Sequence, residues 1–268
     1  MQLTIIRIEK YGAWTLTLGS DREAQIQMLQ ARIYYDLQKL FNNLNCIVYF
    51  NRFDEYFSIT NGLSLNDHIF IHNKLKSKYD KLQISMTIGI GKTPLKANNN
   101  AHNARTNKSY LDKKYLIFGI RSSLKEKNKD FLDKQKKIII KDNKISIIHV
   151  DVDSSKKINL EKTPFEMTCN IMEIYVNLIR QFLKYDGLTF YLGGDNFMVI
   201  SKIMKKENVK DIIDSVSKKL NVNLNCGIGI GLNSRKAVEC ATNALDKIRR
   251  LRDKGNDEYI YEVTWLQL

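Results

Sequence analysis

The sequence predicts an α+β protein built from two tandem ferredoxin-like βαββαβ domains arising by internal duplication. Three observations carry this. The order strand, helix, hairpin, helix, strand, helix is legible twice within 268 residues, a length that suits two domains of ordinary size. Ile88-Gly89-Ile90-Gly91 returns 140 positions later as Ile228-Gly229-Ile230-Gly231, and Asp54 lies 141 positions before Asp195. Leu3-Thr4-Ile5-Ile6 likewise matches Ile145-Ser146-Ile147-Ile148. The repeated order favours duplication over the rival, one large α/β domain. The expected boundaries are 1–110 for a first domain with a degenerate turn motif, 111–137 for a basic linker, and 138–268 for a second domain bearing a Gly-Gly-Asp-Asn hairpin.

Each element has a local reason. Leu3 to Glu9 reads as a strand ending in an acid. Ser20-Asp21-Arg22-Glu23 has the form of a capping box, Ser at N-cap and Glu at N3. The helix after it places Ile26, Leu29, Ile33, Leu37, Leu40 and Phe41 on one face. Cys46 to Phe50 is a strand, Asn51-Arg52-Phe53-Asp54 a turn, and Tyr56 to Thr60 the return strand. A helix follows over Asp67 to Tyr79 and a strand over Ile84 to Ile90. Thr93-Pro94 opens another helix, with Thr as cap and Pro at N1. Tyr115 to Phe118 is a short strand within the linker, and Lys141-Asp142-Asn143-Lys144 a tight turn after Ile138 to Ile140. In the second half, Thr163-Pro164-Phe165-Glu166 joins a capping box to a Pro at N1, and the helix buries Phe165, Ile171, Ile174, Leu178 and Phe182. A helix over Val209 to Leu220 and a strand over Asn223 to Ile230 come after the hairpin. Ser234 caps a last helix, Gly255 ends it, and Tyr259 to Trp265 closes the chain as a strand.

Two acidic stretches stand out against this frame. Ile145 to Val150 is dense in β-branched residues, as a strand buried on both faces should be, and it ends in Asp151-Val152-Asp153. With a strand period of two, Asp151 and Asp153 share a side. Ionised carboxylates are costly to bury unless paired or bound to metal, so they belong at an exposed rim. The second stretch, Gly193-Gly194-Asp195-Asn196, lies between two β-prone runs and reads as a hairpin turn that needs φ > 0. Glycines there let a phosphate approach the backbone closely. Taken alone, the stretch is simply a good turn. The topology adds chemistry: in a βαββαβ unit the first strand lies beside the third. Asp151 and Asp195, 44 residues apart, then meet at one rim of a sheet. Such a pair suits two divalent ions about 3.5–4 Å apart. Mg²⁺ is the natural choice, since it takes few carboxylates plus phosphate oxygens and water.

The net charge of +14 favours polyanionic partners, and residues 105–144 carry 13 Lys or Arg against 5 Asp or Glu, a net of +8. A solvated linker face accounts for that excess, and no basic helix with interleaved aromatics appears, so no nucleic-acid partner is expected. No apolar run reaches about 18 residues, so no membrane span is expected, and the N-terminus lacks the pattern of a signal peptide. Cys46, Cys169, Cys226 and Cys240 form no CxxC pair. They read as buried free thiols of a cytoplasmic protein rather than a zinc site. His68 and His72 have i, i+4 spacing with no evident third ligand.

Asp151-Val152-Asp153, Gly193-Gly194-Asp195-Asn196, the Gly-Ile-Gly-Ile strand and Ala244-Leu245…Arg249…Gly255-Asn256 together resemble the palm-type GGDEF domain of diguanylate cyclases over most of 145–265. That resemblance implies metal binding by Asp151 and Asp195, Lys156 near phosphates, and a guanine contact from Asn159. Asn196 departs from the family, which has Glu there, and its Gly-His-x-x-Gly-Asp stretch is absent. The whole chain is similar to a narrower family, archaeal GTP cyclohydrolase III. Ile8-Glu9-Lys10-Tyr11-Gly12-Ala13-Trp14-Thr15, Arg52-Phe53-Asp54 and Leu192-Gly193-Gly194-Asp195-Asn196 carry the likeness. It implies hydrolysis of GTP at C8 of the guanine, retention of the formyl group on a pyrimidine ribonucleotide monophosphate, and release of pyrophosphate. It also implies Mg²⁺, activation by K⁺ or ammonium, homo-oligomers, and a place in flavin or deazaflavin biosynthesis.

The expected site therefore has Asp151 and Asp195 as catalytic metal ligands, with Val152 and Asp153 in the metal set. Gly193, Gly194, Asn196, Lys156, Lys157, Asn159 and Arg249 face the substrate. Each has a plainer reading: Lys156, Lys157 and Arg249 as solvated surface residues, Asp153 as a cap for the next turn. His149, inside a buried strand, reads as a satisfied core histidine. The first half keeps acids at the matched places, Glu9 and Asp54, but Asn51-Arg52-Phe53 replaces Leu-Gly-Gly. One full site per chain is expected, in the second half. Rival functions are a nucleotide cyclase, a non-catalytic guanine-nucleotide receptor, and a nucleic-acid-binding protein.

Overall fold

A computed structural model describes residues 1–120, 144–153 and 163–267. The basic stretch over 121–143 lies outside the described residues, as do Lys156, Lys157 and Asn159. The chain divides into two compact units, Met1–Lys92 with Lys96–Ile139, and Thr93–Leu95 with Ile140–Leu268.

In the first unit, β1 (Gln2–Ile8), β2 (Val48–Arg52), β3 (Glu55–Ile59), β4 (Ile84–Ile90), β5 (Tyr110–Asp112) and β6 (Ile117–Phe118) form one sheet in the order β2-β3-β1-β4-β6-β5. Tyr110–Asp112 and Ile117–Phe118, which overlap the expected linker, are thus strands of this sheet. Helices α1 (Tyr11–Leu16), α2 (Glu23–Asn42), α3 (Leu65–Lys78) and α4 (Pro94–Thr106) complete the unit's described elements. Its core gathers Ile6, Ile33, Leu37, Phe41, Tyr56, Ile71 and Met86. Leu29 and Leu40 are partly buried against it, on the α2 face the spacing indicated.

In the second unit, β7 (Ile145–Val152), β8 (Leu188–Gly193), β9 (Asn196–Ser201), β10 (Leu224–Gly231) and β11 (Ile260–Thr264) are ordered β11-β10-β7-β9-β8. Helices α5 (Pro164–Leu183), α6 (Lys206–Leu220) and α7 (Ser234–Arg252) accompany them. In both units the first strand runs antiparallel between the third and the fourth, as in a ferredoxin-like sheet, and a further strand pairs parallel to the fourth. The two tandem βαββαβ domains are thus present, each with its extra helix and strand.

Several local expectations are corrected. Ser20 does not cap α2: the N-cap is Arg22, with no side-chain cap bond, and the 20-residue helix is held by its buried face instead. The capping box of this half belongs to Ser64 and Asp67 at the start of α3. The box at Thr163 and Glu166 is present, but Phe165 at the second position of α5 is 78% exposed, and its neighbours in the first turn are exposed as well. Asn233 rather than Ser234 caps α7, accepting from the Lys236 N–H, while Ser234 is buried. Of the free cysteines, Cys46, Cys226 and Cys240 are buried and Cys169 is exposed. No described helix is long and apolar enough to cross a membrane.

A repeated close packing fixes the last helix of each unit against its fourth strand. A Cβ on Gly229 would lie 2.1 Å from the Ala237 carbonyl oxygen, and one on Gly89 2.0 Å from that of Ala97. Only glycine admits a helix backbone this near a strand.

The first unit also buries a directional polar chain. The His68 Nδ1 lies 2.7 Å from the Ser64 carbonyl, which only accepts, so Nδ1 carries the proton. Nε2 therefore accepts from Thr4 (2.8 Å), Thr4 from Thr60 (2.8 Å), and Thr60 from the Gln2 amide (3.3 Å). Burial lowers the pKa of His68, outweighing the Ser64 bond and the Asp67 charge. The unfolded chain then binds the proton more readily than the native state. Thermal unfolding should show Tm falling as pH drops below about 6.5, with a smaller slope in a His68→Gln variant.

Candidate active site

The central strand β7 carries Asp151 to the sheet rim, where it stands in register with Asn196 on β9 and Asn225 on β10. One residue further, the Val152 N–H donates to the Asp195 carbonyl at 3.2 Å, tying the hairpin turn to the strand end. Gly193 (φ 105°) and Gly194 (φ 60°) take the left-handed turn that the sequence required. The Tyr191 hydroxyl donates to the Gly194 carbonyl at 3.0 Å. A Cβ at either glycine would meet nothing within 4 Å, so the turn presents open backbone.

Asp151 is 8% exposed. Burial raises its pKa and the charge of Asp195 raises it further, against hydrogen bonds and charge from Arg249 and a hydrogen bond from Asn225. Arg249, on α7, reaches Asp151 Oδ2 at 3.4 Å and Asp246 Oδ1 at 3.0 Å. Asp195 accepts from the Asn196 amide at 2.7 Å, and the Asn196 carbonyl lies 3.0 Å from His149 Nε2. Asp153 is tied to Arg252 Nη1 at 3.0 Å, and Arg252 Nη2 donates to Asn225 at 2.6 Å.

The structure thus brings together Asp151, Asp195, Gly193, Gly194, Asn196 and Arg249. Asp153 is engaged by Arg252, and no group of three or more His, Cys, Asp or Glu is poised for a metal among the described residues. The three-carboxylate set read from the sequence is not preassembled. Val152 buries its side chain, leaving only its backbone for a cation. Two carboxylates at an open turn suit a hard cation that completes its shell with water and phosphate oxygens, so the donor set fits Mg²⁺. His149, Asn225, Tyr191 and Arg252 were missed as site residues. A core-like position hid the first, partners distant in sequence hid Asn225 and Arg252, and Tyr191, bonded only three residues along the chain, read as an ordinary strand aromatic.

The first unit repeats the scaffold with different charges. The Ile8 N–H donates to the Asp54 carbonyl at 2.9 Å, as Val152 does to Asp195. This register sets Arg7, not Glu9, opposite the counterparts of Asn196 and Asn225, namely Glu55 and Ser85. Arg7 therefore stands where Asp151 does, and the matching of Glu9 to Asp151 is corrected by two residues. The cause is the degenerate isoleucine run, in which an even slip keeps every side chain on its face. Arg7 pairs with Glu55, and Asn51 donates to Glu55 at 2.7 Å. Glu9 corresponds to Asp153 and is gripped by Arg105 and Ser85. Although burial acts to raise its pKa, those bonds and the charges of Arg105 and Arg7 hold it below the ordinary value.

A family model described as GTP cyclohydrolase III matches residues 1–260. The chain belongs to the GTP cyclohydrolase III family. The GTP cyclohydrolase III of Methanocaldococcus jannaschii is 33% identical over 257 residues, 95% of this chain and 91% of that one. That of Methanosphaera stadtmanae is 30% identical over 252 residues, 93% of each chain. Among solved structures, the GGDEF domain of DgcB from Caulobacter crescentus is 16% identical, covers 50% of this chain and 86% of its own, and has a TM-score of 0.38. In this GTP cyclohydrolase III family member, the matched span takes in the first unit and the second as far as residue 260.

Because the folded state holds the Asp151 proton more tightly than the unfolded chain, ionisation of Asp151 costs stability as pH rises through its native pKa. In EDTA at neutral pH, Asp151→Asn should raise stability by about 1 kcal/mol, some 2–4 °C in Tm for a domain of this size. Magnesium should stabilise the wild type more than this variant.

Proposed function

We propose that the chain is a Mg²⁺-dependent GTP cyclohydrolase that opens the imidazole ring of GTP. Water adds at C8, the C8–N9 bond breaks, and the formyl group stays on N7. A second water cleaves the bond between the α and β phosphates, releasing pyrophosphate and leaving a formylaminopyrimidine ribonucleotide monophosphate. The observation that supports this most is the nearness of Asp151 and Asp195 beside an open Gly-Gly turn in a chain matched to this family along 1–260.

When bound, Mg²⁺ supplies positive charge for the triphosphate and lowers the pKa of a coordinated water toward neutrality. Asp151 and Asp195 would hold it. Gly193 and Gly194 leave room for phosphate oxygens against the backbone. Arg249, held by Asp151 and Asp246 and half exposed, is placed to turn from carboxylate to phosphate and to neutralise charge there. A cytoplasmic location and a homo-oligomer belong to the same reading. The first unit, with Arg7 at the place of Asp151, serves as scaffold.

Incubation with GTP and Mg²⁺, with and without EDTA, followed by absorbance and product mass, tests the reading. The expected product contains one added water in the base and a single phosphate, and EDTA abolishes it. A phosphodiester with an intact ring would indicate a nucleotide cyclase, and binding without turnover a receptor. Asp195→Asn should lower kcat by at least about 100-fold, the scale of lost electrostatic stabilisation at a reacting centre. Asp54→Asn should stay within about threefold of wild type, the effect of roughly 0.7 kcal/mol. An equal loss in both variants would overturn the single-site assignment.

A further inference from the structure

We infer that His149 is a positioning residue: its Nε2–H fixes the Asn196 amide, which holds the Asp195 carboxylate ready for a divalent cation. The inference rests on the reading of Asp151 and Asp195 as cation ligands. It concerns the residues behind them, one on the buried strand and one on the hairpin.

The hydrogen bonds have one consistent direction. An ionised carboxylate only accepts, so the Asn196 atom 2.7 Å from Asp195 Oδ1 is the NH₂. The amide carbonyl then faces His149 Nε2 at 3.0 Å. A carbonyl also only accepts, so Nε2 bears the proton. This donor exists in imidazole and imidazolium alike, so the arrangement needs no titration. Nδ1 is left buried without a hydrogen-bond partner among the described residues. An orphaned buried acceptor is a standing cost, and a leucine at this half-buried strand position would carry none. The ring is therefore kept for what Nε2 does.

What it does follows from the hairpin. Asp195 sits on a turn between two glycines and a strand. The Asn196 amide is the side-chain hydrogen bond that Asp195 receives among the described residues. That amide could flip by 180° and point its carbonyl at the carboxylate, which would repel it. The His149 donor forbids the flip. A neutral amide at 196 thus orients Asp195 without adding a third negative charge beside Asp151 and Asp195. Partners that orient a metal ligand from behind commonly change affinity by 10- to 100-fold when removed.

The test uses the full chain without nucleotide, with Mn²⁺ as probe, its binding followed by electron paramagnetic resonance. His149→Leu should weaken Mn²⁺ about 10-fold. His149→Gln, which keeps an N–H donor, should recover most of that, as loss of a merely structural histidine would not. Asn196→Leu, at the partly exposed rim, should match His149→Leu. Nitrogen-15 shifts of the His149 ring in the metal-free wild type should report the Nε2–H form. Wild-type affinity in His149→Leu, or an Nδ1–H tautomer, would overturn the inference even if the carboxylates bind metal. Equal Mn²⁺ binding by wild type and Asp195→Asn would instead remove the carboxylate reading on which the inference stands. If His149→Leu does not fold, Asn196→Leu and the tautomer decide the matter.

Discussion

The hydrogen bond from the Val152 N–H to the Asp195 carbonyl is the contact on which the site depends. It is a main-chain bond, so it fixes where two side chains begin rather than where they end. With β7 held between β9 and β10 along its length, that bond makes the end of the strand and the tip of the hairpin one rigid corner. Asp151 and Asp195 leave the backbone there from adjoining positions. Their mutual repulsion, worsened by the burial of Asp151, is the condition that a cation relieves.

The same corner occurs in the first unit, and comparison of the two separates scaffold from chemistry. Both keep the strand order, the main-chain clamp, the glycine-rich fourth strand, and an arginine from the last helix gripping the acid at the strand end: Arg105 on Glu9, Arg252 on Asp153. They differ one turn of the pleat away. In the first unit Arg7 and Glu55 neutralise one another, whereas in the second Asp151 faces a neutral Asn196 and shares Arg249 with Asp246. An ion pair satisfied from within has little left to offer a divalent cation.

Much of the fold was legible because it is written in local signals. The Thr163 box, the prolines opening α4 and α5, the Gly-Gly turn and the isoleucine-rich first strands all depend on neighbours close in the chain. The meeting of Asp151 with Asp195 was legible too, since strand order places them together once the unit is recognised. What the sequence hid was side-chain partnership across the sheet. Asn225 and Arg252 look like ordinary strand and helix residues until β10 and α7 are laid beside β7. The register of the first strand was hidden for a different reason. A run of similar apolar residues reads alike when shifted by two, and the terminal hydrogen bonds that remove the ambiguity are long-range. The caps at Ser20 and Ser234 failed because burial and a neighbouring Asn outweighed them.

The glycines of β10 carry an implication for how such a site can accommodate its guest. With the backbone of α7 seated against Gly227, Gly229 and Gly231, there is no slack for the helix to slide inward or tip. Arg249 and Arg252 can swing their side chains, but their Cα atoms are anchored. Among the described elements, the corner therefore meets an incoming phosphate chain with its backbone already in place, and adjustment is left to the side chains that surround it.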